Sequence, residues 1–284
     1  MQVQRITVIG TGTMGNGIAG QAALKGFDVV LYDIDAERVA AALGQIGKTY
    51  DKGVARGKVS ADDAEAGRGR LSSSDDLISA VKDADLVVEA VPERMSLKQE
   101  IFATLERETQ GHTILATNTS SLSISEIASA TGCADRVVGM HFFNPVAVMP
   151  LVELVRGRET SDEVLAEARR VAEQMGKECI TVTDSPGFAT SRLGICLGNE
   201  AMRMFEEGVA SAEDIDKAMT LGYRHPIGPL ALTDLVGLDV RLAISEHLHR
   251  ELGTDTFKAP EILRKMVSEG KLGRKTGEGF YTYS

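Results

Sequence analysis

A glycine-rich segment near the start of the sequence constrains the fold more than any other feature. The run Gly10-Thr-Gly-Thr-Met-Gly15 follows a short apolar strand, Ile6 to Ile9, and precedes a helical stretch from Asn16 to Lys25. A second strand, Val29 to Asp33, ends in an acidic residue about 20 positions after the first glycine. A strand, a G-x-G-x-x-G turn, a helix and a second strand open a doubly wound parallel sheet. The segment therefore predicts an α/β fold.

The same turn has the properties of a phosphate-binding loop. Gly10 permits the tight turn, Gly12 lets the backbone approach a pyrophosphate, and Gly15 lets helix and strand pack closely. The helix that follows supplies N–H donors and positive potential at its N-terminus. Asp33 can accept hydrogen bonds from ribose hydroxyls, and its charge repels a 2′-phosphate, so NAD is favoured over NADP. The alternative is that the glycines serve packing alone and that Asp33 caps a helix.

Composition narrows the class of protein. A chain of 284 residues with 43% apolar residues can fill two cores. The 41 acidic and 31 basic residues give a net charge of −10, which repels nucleic acid and anionic membranes. The three cysteines lack metal-ligand or C-x-x-C spacing, and neither a leader-like start nor a membrane-length apolar run occurs. We expect a cytoplasmic protein with no metal, no nucleic-acid partner and no membrane association.

Strand and helix signals keep alternating after the first unit. Asp85 to Val91 and Thr113 to Thr117 predict strands, Met95 to Arg107 predicts a helix, and Cys179 to Thr183 predicts the last strand. Residues 60–76 are polar and poorly patterned, which indicates a connection. The alternation predicts a Rossmann-like, doubly wound, mostly parallel sheet.

Polar residues follow two of these strands. Glu93 and Lys98 come after the first, and Asn118-Thr-Ser-Ser121 comes after the second. Ligands of open α/β sheets collect at the carboxyl ends of the strands, so these groups could hydrogen-bond a nicotinamide ribose or a substrate carbonyl. The alternative is a Ser- and Asn-rich turn that caps the next helix.

One later segment places a base and a carboxylate in apolar surroundings. Val137 to Met140 and Leu151 to Val155 have the composition of buried parallel strands, and prolines interrupt the chain between them. His141 leaves the first strand and Glu153 lies within the second, so we predict that they converge over a crevice at the sheet edge. The alternative is a hydrogen-bonded core histidine with a carboxylate nearby by accident.

The long helix predicted from Asp35 to Lys58 has a basic face. Lys48, Lys52 and Arg56 recur at four-residue steps and therefore lie on one side of the helix. On an acidic protein this face could hold a phosphorylated substrate, although most such faces are simply solvated.

The chain changes character at Asp184-Ser-Pro-Gly187, where we place the boundary between residues 1–184 and residues 185–284. Ser185 as N-cap with Pro186 after it predicts a helix start. The first helix of the second domain is apolar on most faces, which predicts burial and, against a second copy, a homodimer. The further helices are predicted at Ala212 to Leu221, Leu230 to Leu235, Leu238 to Glu251 and Pro260 to Ser268.

In combination, the motifs resemble those of the L-3-hydroxyacyl-CoA dehydrogenase family over the whole chain, and within it the stand-alone bacterial 3-hydroxybutyryl-CoA dehydrogenases. The resemblance implies an NAD-binding Rossmann domain followed by an all-helical domain for substrate binding and dimerisation. The motifs are Gly10-Thr-Gly-Thr-Met-Gly15, Asn118-Thr-Ser-Ser121, His141-Phe-Phe-Asn-Pro145, Leu151-Val-Glu153, Ser185-Pro-Gly-Phe188, Gly228-Pro229 and Leu272-Gly-Arg-Lys-Thr-Gly277.

The resemblance also implies roles for individual residues. His141 would take the hydroxyl proton, Glu153 would orient it and stabilise its imidazolium, and Ser120 would hold the substrate oxygen. Histidine suits alcohol oxidation because it can act as a base near neutral pH, typically worth ~10²–10⁴-fold in rate. The implied cofactor residues are Gly10, Gly12, Thr13, Met14, Gly15, Asp33, Glu93, Lys98, Asn118 and Asn144. The implied substrate residues are Ser120, Asn144, Lys52, Arg56 and Ser191, with Lys52 and Arg56 on the phosphates of CoA.

The sequence departs from the family at Ser191, where an Asn that reaches the active site is usual. A Ser hydroxyl has a shorter arm and fewer donors, so we expect a bridging water or a missing contact rather than a lost function. Two alternatives stay open. One is another two-domain dehydrogenase such as the 3-hydroxyisobutyrate type, which uses a Lys base, and the other is a catalytically silent NAD-binding protein.

Overall fold

The computed structural model describes residues 2–283, so positions 1 and 284 at the outer ends of the two predicted domains lie outside it. The chain forms two compact units that meet in sequence between Asp184 and Ser185. The first unit contains an eight-stranded sheet with helices, and the second is built from helices. No helix among the described residues is long and apolar enough to cross a membrane.

The sheet of the first unit runs in the order β3-β2-β1-β4-β5-β6-β7-β8. Every neighbouring pair of strands is parallel except β6 with β7. The first six strands follow the order of a dinucleotide-binding sheet, which confirms the predicted Rossmann-like fold. The strands are β1 (Arg5–Ile9), β2 (Asp28–Tyr32), β3 (Leu71–Ser73), β4 (Leu86–Glu89), β5 (Ile114–Thr117), β6 (Val137–Phe142), β7 (Leu151–Arg156) and β8 (Glu178–Thr183).

The helices flank the sheet in the first unit and pack on one another in the second. Side-chain caps begin several of them, as where Asp35 accepts from the Glu37 N–H at the start of α2. In the first unit they are α1 (Thr13–Leu24), α2 (Ala36–Ala55), α3 (Ala61–Gly69), α4 (Leu77–Val81), α5 (Met95–Glu108), α6 (Ile124–Ala128) and α7 (Asp162–Gln174). In the second they are α8 (Thr190–Glu206), α9 (Ala212–Gly222), α10 (Pro229–Val236), α11 (Leu238–Leu252) and α12 (Glu261–Ser268).

The direction of β7 differs from the prediction. We expected β6 and β7 to be parallel, but they are antiparallel. The connection, residues 143–150, is too short for a crossover, since parallel neighbours need a link of a dozen residues or more. The antiparallel register sets His141 directly opposite Glu153.

Two local predictions are wrong. Residues 60–76 are not a plain connection, because Ser60 caps α3 and the chain then adds β3 to the edge of the sheet. The helix predicted at Ser185 begins only at Thr190, because Gly187 and Phe188 both take positive φ angles and interrupt any helix there. A side chain at Gly187 would also meet Leu248 at 2.8 Å.

Helix α8 is less buried than predicted. Ile195 and Met202 lie in the core of the second unit, but Leu193 is 70% exposed in the single chain. The helix is therefore apolar on one face that packs inward and also carries an apolar residue that faces out.

A buried carboxylate holds the end of the second unit together. Asp234, on α10, is 1% exposed and accepts hydrogen bonds from the backbone N–H groups of Phe280 and Tyr281 and from the Tyr283 hydroxyl, each at 2.9 Å. A Cβ at Gly279 would lie 2.1 Å from its Oδ1, so only glycine permits this close approach.

We expect Asp234→Ala to lower the free energy of unfolding by about 3 kcal/mol, because several donors would lose a charged acceptor in a buried site. Urea titration followed by circular dichroism measures the change. Asp214→Ala, at an exposed carboxylate on α9, is the matched control and should cost much less. Equal losses in the two variants would contradict the role given to Asp234.

Candidate active site

The glycine turn between β1 and α1 has the shape that a bound pyrophosphate needs. Gly10 has a φ of +92°, and a Cβ there would lie 2.8 Å from the Ala90 carbonyl oxygen. A Cβ at Gly15 would lie 1.8 Å from the Gly10 carbonyl oxygen, so both positions require glycine. Gly12 has nothing within 4 Å of its Cβ position, which leaves open space beside the N-terminus of α1, where Thr13 begins the helix. These features fit a dinucleotide.

Asp33 lies beside this turn, directly after β2. Its Oδ2 accepts from the Thr11 N–H at 2.8 Å and from the Thr11 hydroxyl at 3.0 Å. The cap of α2 is Asp35 rather than Asp33. The alternative interpretation of Asp33 as a helix cap is therefore wrong, and its carboxylate stands next to the loop that would hold the dinucleotide.

His141 and Glu153 form a buried pair across β6 and β7. The distance from His141 Nδ1 to Glu153 Oε2 is 2.7 Å, and the two residues are 7% and 0% exposed. A carboxylate that accepts from the Nδ1–H leaves the lone pair of a neutral imidazole on Nε2. The Phe143 ring packs 4.4 Å from the imidazole, centroid to centroid, and also restricts its orientation. The pair has the arrangement of a general base and its orienting carboxylate.

Two asparagines lie near the carboxyl end of β6. Asn118, after β5, accepts from the Phe142 N–H through its Oδ1 at 2.9 Å and so ties the two strand ends together beside His141. Asn144 is exposed, and a cis peptide bond joins it to Pro145. Both residues stand at the edge where ligands of such sheets collect.

A buried ion pair that the sequence analysis missed lies at the end of β4. Glu89 is 0% exposed, and its Oε1 lies 2.7 Å from the Lys98 ammonium, which is 1% exposed. Glu89 also accepts from the Val91 N–H and the Thr117 hydroxyl, each at 2.7 Å. The only signal in the sequence was an acidic residue that closes an otherwise apolar strand.

Glu93 extends this ion pair to the turn after β5. Its Oε2 lies 3.5 Å from Lys98, and its Oε1 accepts from the Thr119 hydroxyl at 2.5 Å and from the Ser120 N–H at 3.1 Å. Burial raises the pKa of Glu93, but the charge of Lys98 and these hydrogen bonds outweigh it and hold the pKa below its usual range. The carboxylate is thus ionised and fixes the turn that carries Ser120.

Three predicted substrate residues, Lys52, Arg56 and Ser191, lie outside the strands and turns that carry the groups described above. Lys52 is exposed near the end of α2, and Arg56 is exposed and follows the last helical residue. Ser191 lies in the first turn of α8, in the second unit. Within residues 2–283, no group of His, Cys, Asp and Glu side chains has the arrangement of a metal site.

Comparisons with known proteins match the whole chain. The family model described as 3-hydroxyacyl-CoA dehydrogenase, NAD binding domain, matches residues 5–185, and that of the C-terminal domain matches residues 187–283. A probable 3-hydroxybutyryl-CoA dehydrogenase of Bacillus subtilis is 46% identical over 283 residues, which cover 100% of this chain and 98% of that protein. A 3-hydroxybutyryl-CoA dehydrogenase of Clostridioides difficile is 44% identical and covers 99% of each chain. The crystal structure of (S)-3-hydroxybutyryl-CoA dehydrogenase from Ralstonia eutropha is 42% identical, with a TM-score of 0.96 and full coverage of both chains.

The parallel sheet, its glycine turn and the matched NAD-binding domain define an NAD-dependent oxidoreductase. The chain belongs to the 3-hydroxyacyl-CoA dehydrogenase family, and NAD is its cofactor. The resemblance, the enzyme class and the cofactor predicted from the sequence are therefore confirmed. The 3-hydroxyisobutyrate type of dehydrogenase is not supported.

We expect Glu153→Gln to lower kcat by roughly 10²–10⁴-fold, because a neutral amide neither fixes the same tautomer nor stabilises an imidazolium. NADH binding, followed by fluorescence, should change little, since the glycine turn is untouched. Glu178→Gln, at the exposed start of β8, is the control and should retain activity. A loss below tenfold in Glu153→Gln would remove Glu153 from the mechanism.

Proposed function

We propose that this dehydrogenase interconverts (S)-3-hydroxyacyl-CoA and 3-oxoacyl-CoA, with 3-hydroxybutyryl-CoA among its substrates, and that His141 is its acid–base residue. The buried His141–Glu153 pair, 2.7 Å apart, carries the proposal. Relatives named 3-hydroxybutyryl-CoA dehydrogenase, more than 40% identical along their full length, support the choice of substrate.

The proposed chemistry needs one proton transfer by the protein. Bound NAD supplies the hydride acceptor for C3 of the substrate. Nε2 of His141 takes the hydroxyl proton, and the carboxylate of Glu153 stabilises the resulting imidazolium. Ser120 holds the substrate oxygen, and Glu93 supports this role because it fixes the backbone of that turn. In the reducing direction the imidazolium returns the proton.

For the cofactor, we propose that Asp33 accepts from the ribose hydroxyls of the adenosine half and disfavours a 2′-phosphate. Thr13 and Met14 would present their backbone N–H groups at the N-terminus of α1. At the nicotinamide end we place Glu93, Lys98, Asn118 and Asn144. The ion pair of Lys98 with Glu89 supports this placement, because it holds Lys98 at the carboxyl end of the sheet.

We also propose a role for Ser191 and a homodimer formed through the second unit. Ser191 has a short side chain and would contact the substrate through water or not at all. The helical unit has exposed apolar residues that a second copy would cover, among them Leu193, Leu221 and Tyr223.

The three cysteines are free thiols, which is usual in a reducing compartment, so we propose a cytoplasmic protein.

The decisive experiment is turnover of acetoacetyl-CoA with NADH, followed by absorbance. We expect the wild type to be active and His141→Ala to lose at least a hundredfold in kcat, because the proton donor of the reducing direction is gone. NADH affinity should stay near normal. His112→Ala, at an exposed histidine of the same unit, is the matched control.

Each outcome has a distinct meaning. A loss of less than tenfold in His141→Ala would refute the assignment of the base. No turnover by the wild type with any 3-oxoacyl-CoA would refute the proposed substrate class.

The basic residues Lys52 and Arg56 are proposed to bind the phosphates of CoA. We expect the double reversal Lys52→Glu/Arg56→Glu to raise KM for acetoacetyl-CoA on the order of tenfold with little change in kcat, because contacts to a non-reacting group are equal in ground and transition states. Lys82→Glu/Arg107→Glu changes the net charge equally at exposed positions and is the control. A changed KM for NADH with an unchanged KM for acetoacetyl-CoA would assign the patch another role.

A further inference from the structure

Glu89 is a buried carboxylate that the proposed chemistry does not use. Its Oε1 accepts from the Lys98 ammonium and the Val91 N–H, and its Oε2 accepts from the Thr117 hydroxyl. That hydroxyl itself accepts from the Thr119 N–H at 3.3 Å, so its own proton is available to Glu89. Both oxygens of Glu89 thus act as acceptors, as they do in an ionised carboxylate. Glu89 is therefore charged although it is 0% exposed.

Glu89, Glu93 and Lys98 form a group that we call the charge cluster. The Lys98 ammonium lies 2.7 Å from Glu89 and 3.5 Å from Glu93. Within residues 2–283, neither carboxylate forms an ion pair with any other cation. Two carboxylates and one ammonium leave one negative charge. Water screens buried charges less than exposed ones, so this net charge acts on groups beyond the cluster itself.

The charge cluster lies between the glycine turn and His141. In the sheet, β4 and β5 separate β1, which leads into the glycine turn, from β6, which carries His141. These four strands are parallel, so their carboxyl ends share one edge of the sheet. Glu89 is the last residue of β4, and a Cβ at Gly10 would lie 2.8 Å from the carbonyl oxygen of the next residue, Ala90. Strand β4 therefore ends against the turn that fits the pyrophosphate.

This strand order determines which part of NAD passes the charge cluster. Neighbouring strands lie about 4.8 Å apart, so three spacings separate His141 from the glycine turn by roughly 14 Å across the sheet. Beyond its pyrophosphate, NAD continues with a ribose and the nicotinamide ring. To bring the reacting carbon of the ring to His141, this part must cross the carboxyl ends of β4 and β5. The ring then lies within the field of the charge cluster.

The two forms of the cofactor differ in charge at this ring. The ring of NAD, the oxidised form, carries one positive charge, and the ring of NADH carries none. A net negative charge about 10 Å away, in an effective dielectric constant of about 20, raises the affinity for the positive ring roughly tenfold. Contacts to the riboses and phosphates are common to both forms and cancel when the two affinities are compared.

We propose that the charge cluster raises the affinity for NAD relative to that for NADH, and that Glu89 is a positioning residue that supplies this preference through its charge. Glu89 is fully buried and reaches the cofactor only through its neighbours. It offsets the positive charge of Lys98, which leaves the charge of Glu93 uncompensated. The inference rests on the proposed function, since His141 determines where the reacting carbon lies.

This preference biases the loaded enzyme toward reduction. In that direction a C–H bond of the reduced ring breaks, its hydride forms a C–H bond at C3 of the 3-oxoacyl-CoA, and the His141 imidazolium gives its proton to the oxygen. The ring becomes positive in the same step. Because the free reactants fix the overall equilibrium, tighter binding of NAD relative to NADH shifts the bound reaction toward the 3-hydroxy ester.

The test measures the dissociation constant of NADH by fluorescence titration and that of NAD by displacement of bound NADH. The readout is the ratio of the NAD constant to the NADH constant. We expect Glu89→Gln to raise this ratio at least threefold, because the amide keeps the shape of the side chain and removes its charge. A change that merely loosened the site would weaken both forms alike and leave the ratio as it was.

Thr117→Val is the matched control, because it removes a hydrogen bond to the same buried carboxylate without a change of charge. Its ratio should stay within threefold of the wild type. A rise as large as that of Glu89→Gln would assign the effect to the hydrogen bond and overturn the role of the charge. If Glu89→Gln does not fold, Glu93→Gln removes the same charge from a partly exposed member of the cluster and should raise the ratio at least threefold.

The outcomes separate this inference from the proposed function, because neither dissociation constant requires a substrate. A ratio that rises less than threefold in the folded variant overturns the role of the charge cluster. A wild type that turns over no 3-oxoacyl-CoA overturns the proposed function, whatever the ratio.

Discussion

The antiparallel pairing of β6 with β7 is the constraint on which the proposed active site depends. It sets His141 directly opposite Glu153, where side chains on one face of a sheet approach most closely. A slip of one residue would turn Glu153 to the other face and leave its carboxylate buried without the imidazole. All other neighbouring strands are parallel, and the turn after β1 is the one that fits a dinucleotide. One reversed strand therefore brings together, in a cofactor-binding sheet, the two residues that we propose for acid–base chemistry.

Two buried charged pairs order the proposed site within the first unit. One lies at the proposed acid–base residue and the other at the proposed nicotinamide end. Glu153 is buried against His141, and Glu89 is buried against Lys98. Such pairs contribute little net stability, because desolvation offsets much of their attraction. Their value here is geometric, since each charged group has few low-energy positions. Through Glu93 the second pair also fixes the turn with Ser120.

The sequence predicts best where structure follows from neighbouring residues. The glycine turn and Asp33 were found because strand, turn and helix signals are contiguous. The direction of β7 was not predicted, although the short link after Phe142 requires it. Composition alone does not distinguish buried parallel from antiparallel strands.

Other features depend on contacts that are distant in sequence. The edge strand β3 was not predicted because it forms by pairing with β2, which is a tertiary contact. The positive φ of Phe188 has no sequence signal, since that region is unusual for a bulky residue. In Glu89, burial rather than residue type carries the information.

The shortness of the β6–β7 connection also bears on the order in which the first unit assembles. His141 and Glu153 are 12 residues apart in the chain, whereas β1 joins β4 by pairing residues such as Ile6 and Leu86. Because closing a long loop costs more chain entropy, the hairpin can form early and the β1–β4 contact late. The proposed acid–base pair would then be in place on a folding chain before the sheet beneath the dinucleotide loop is complete.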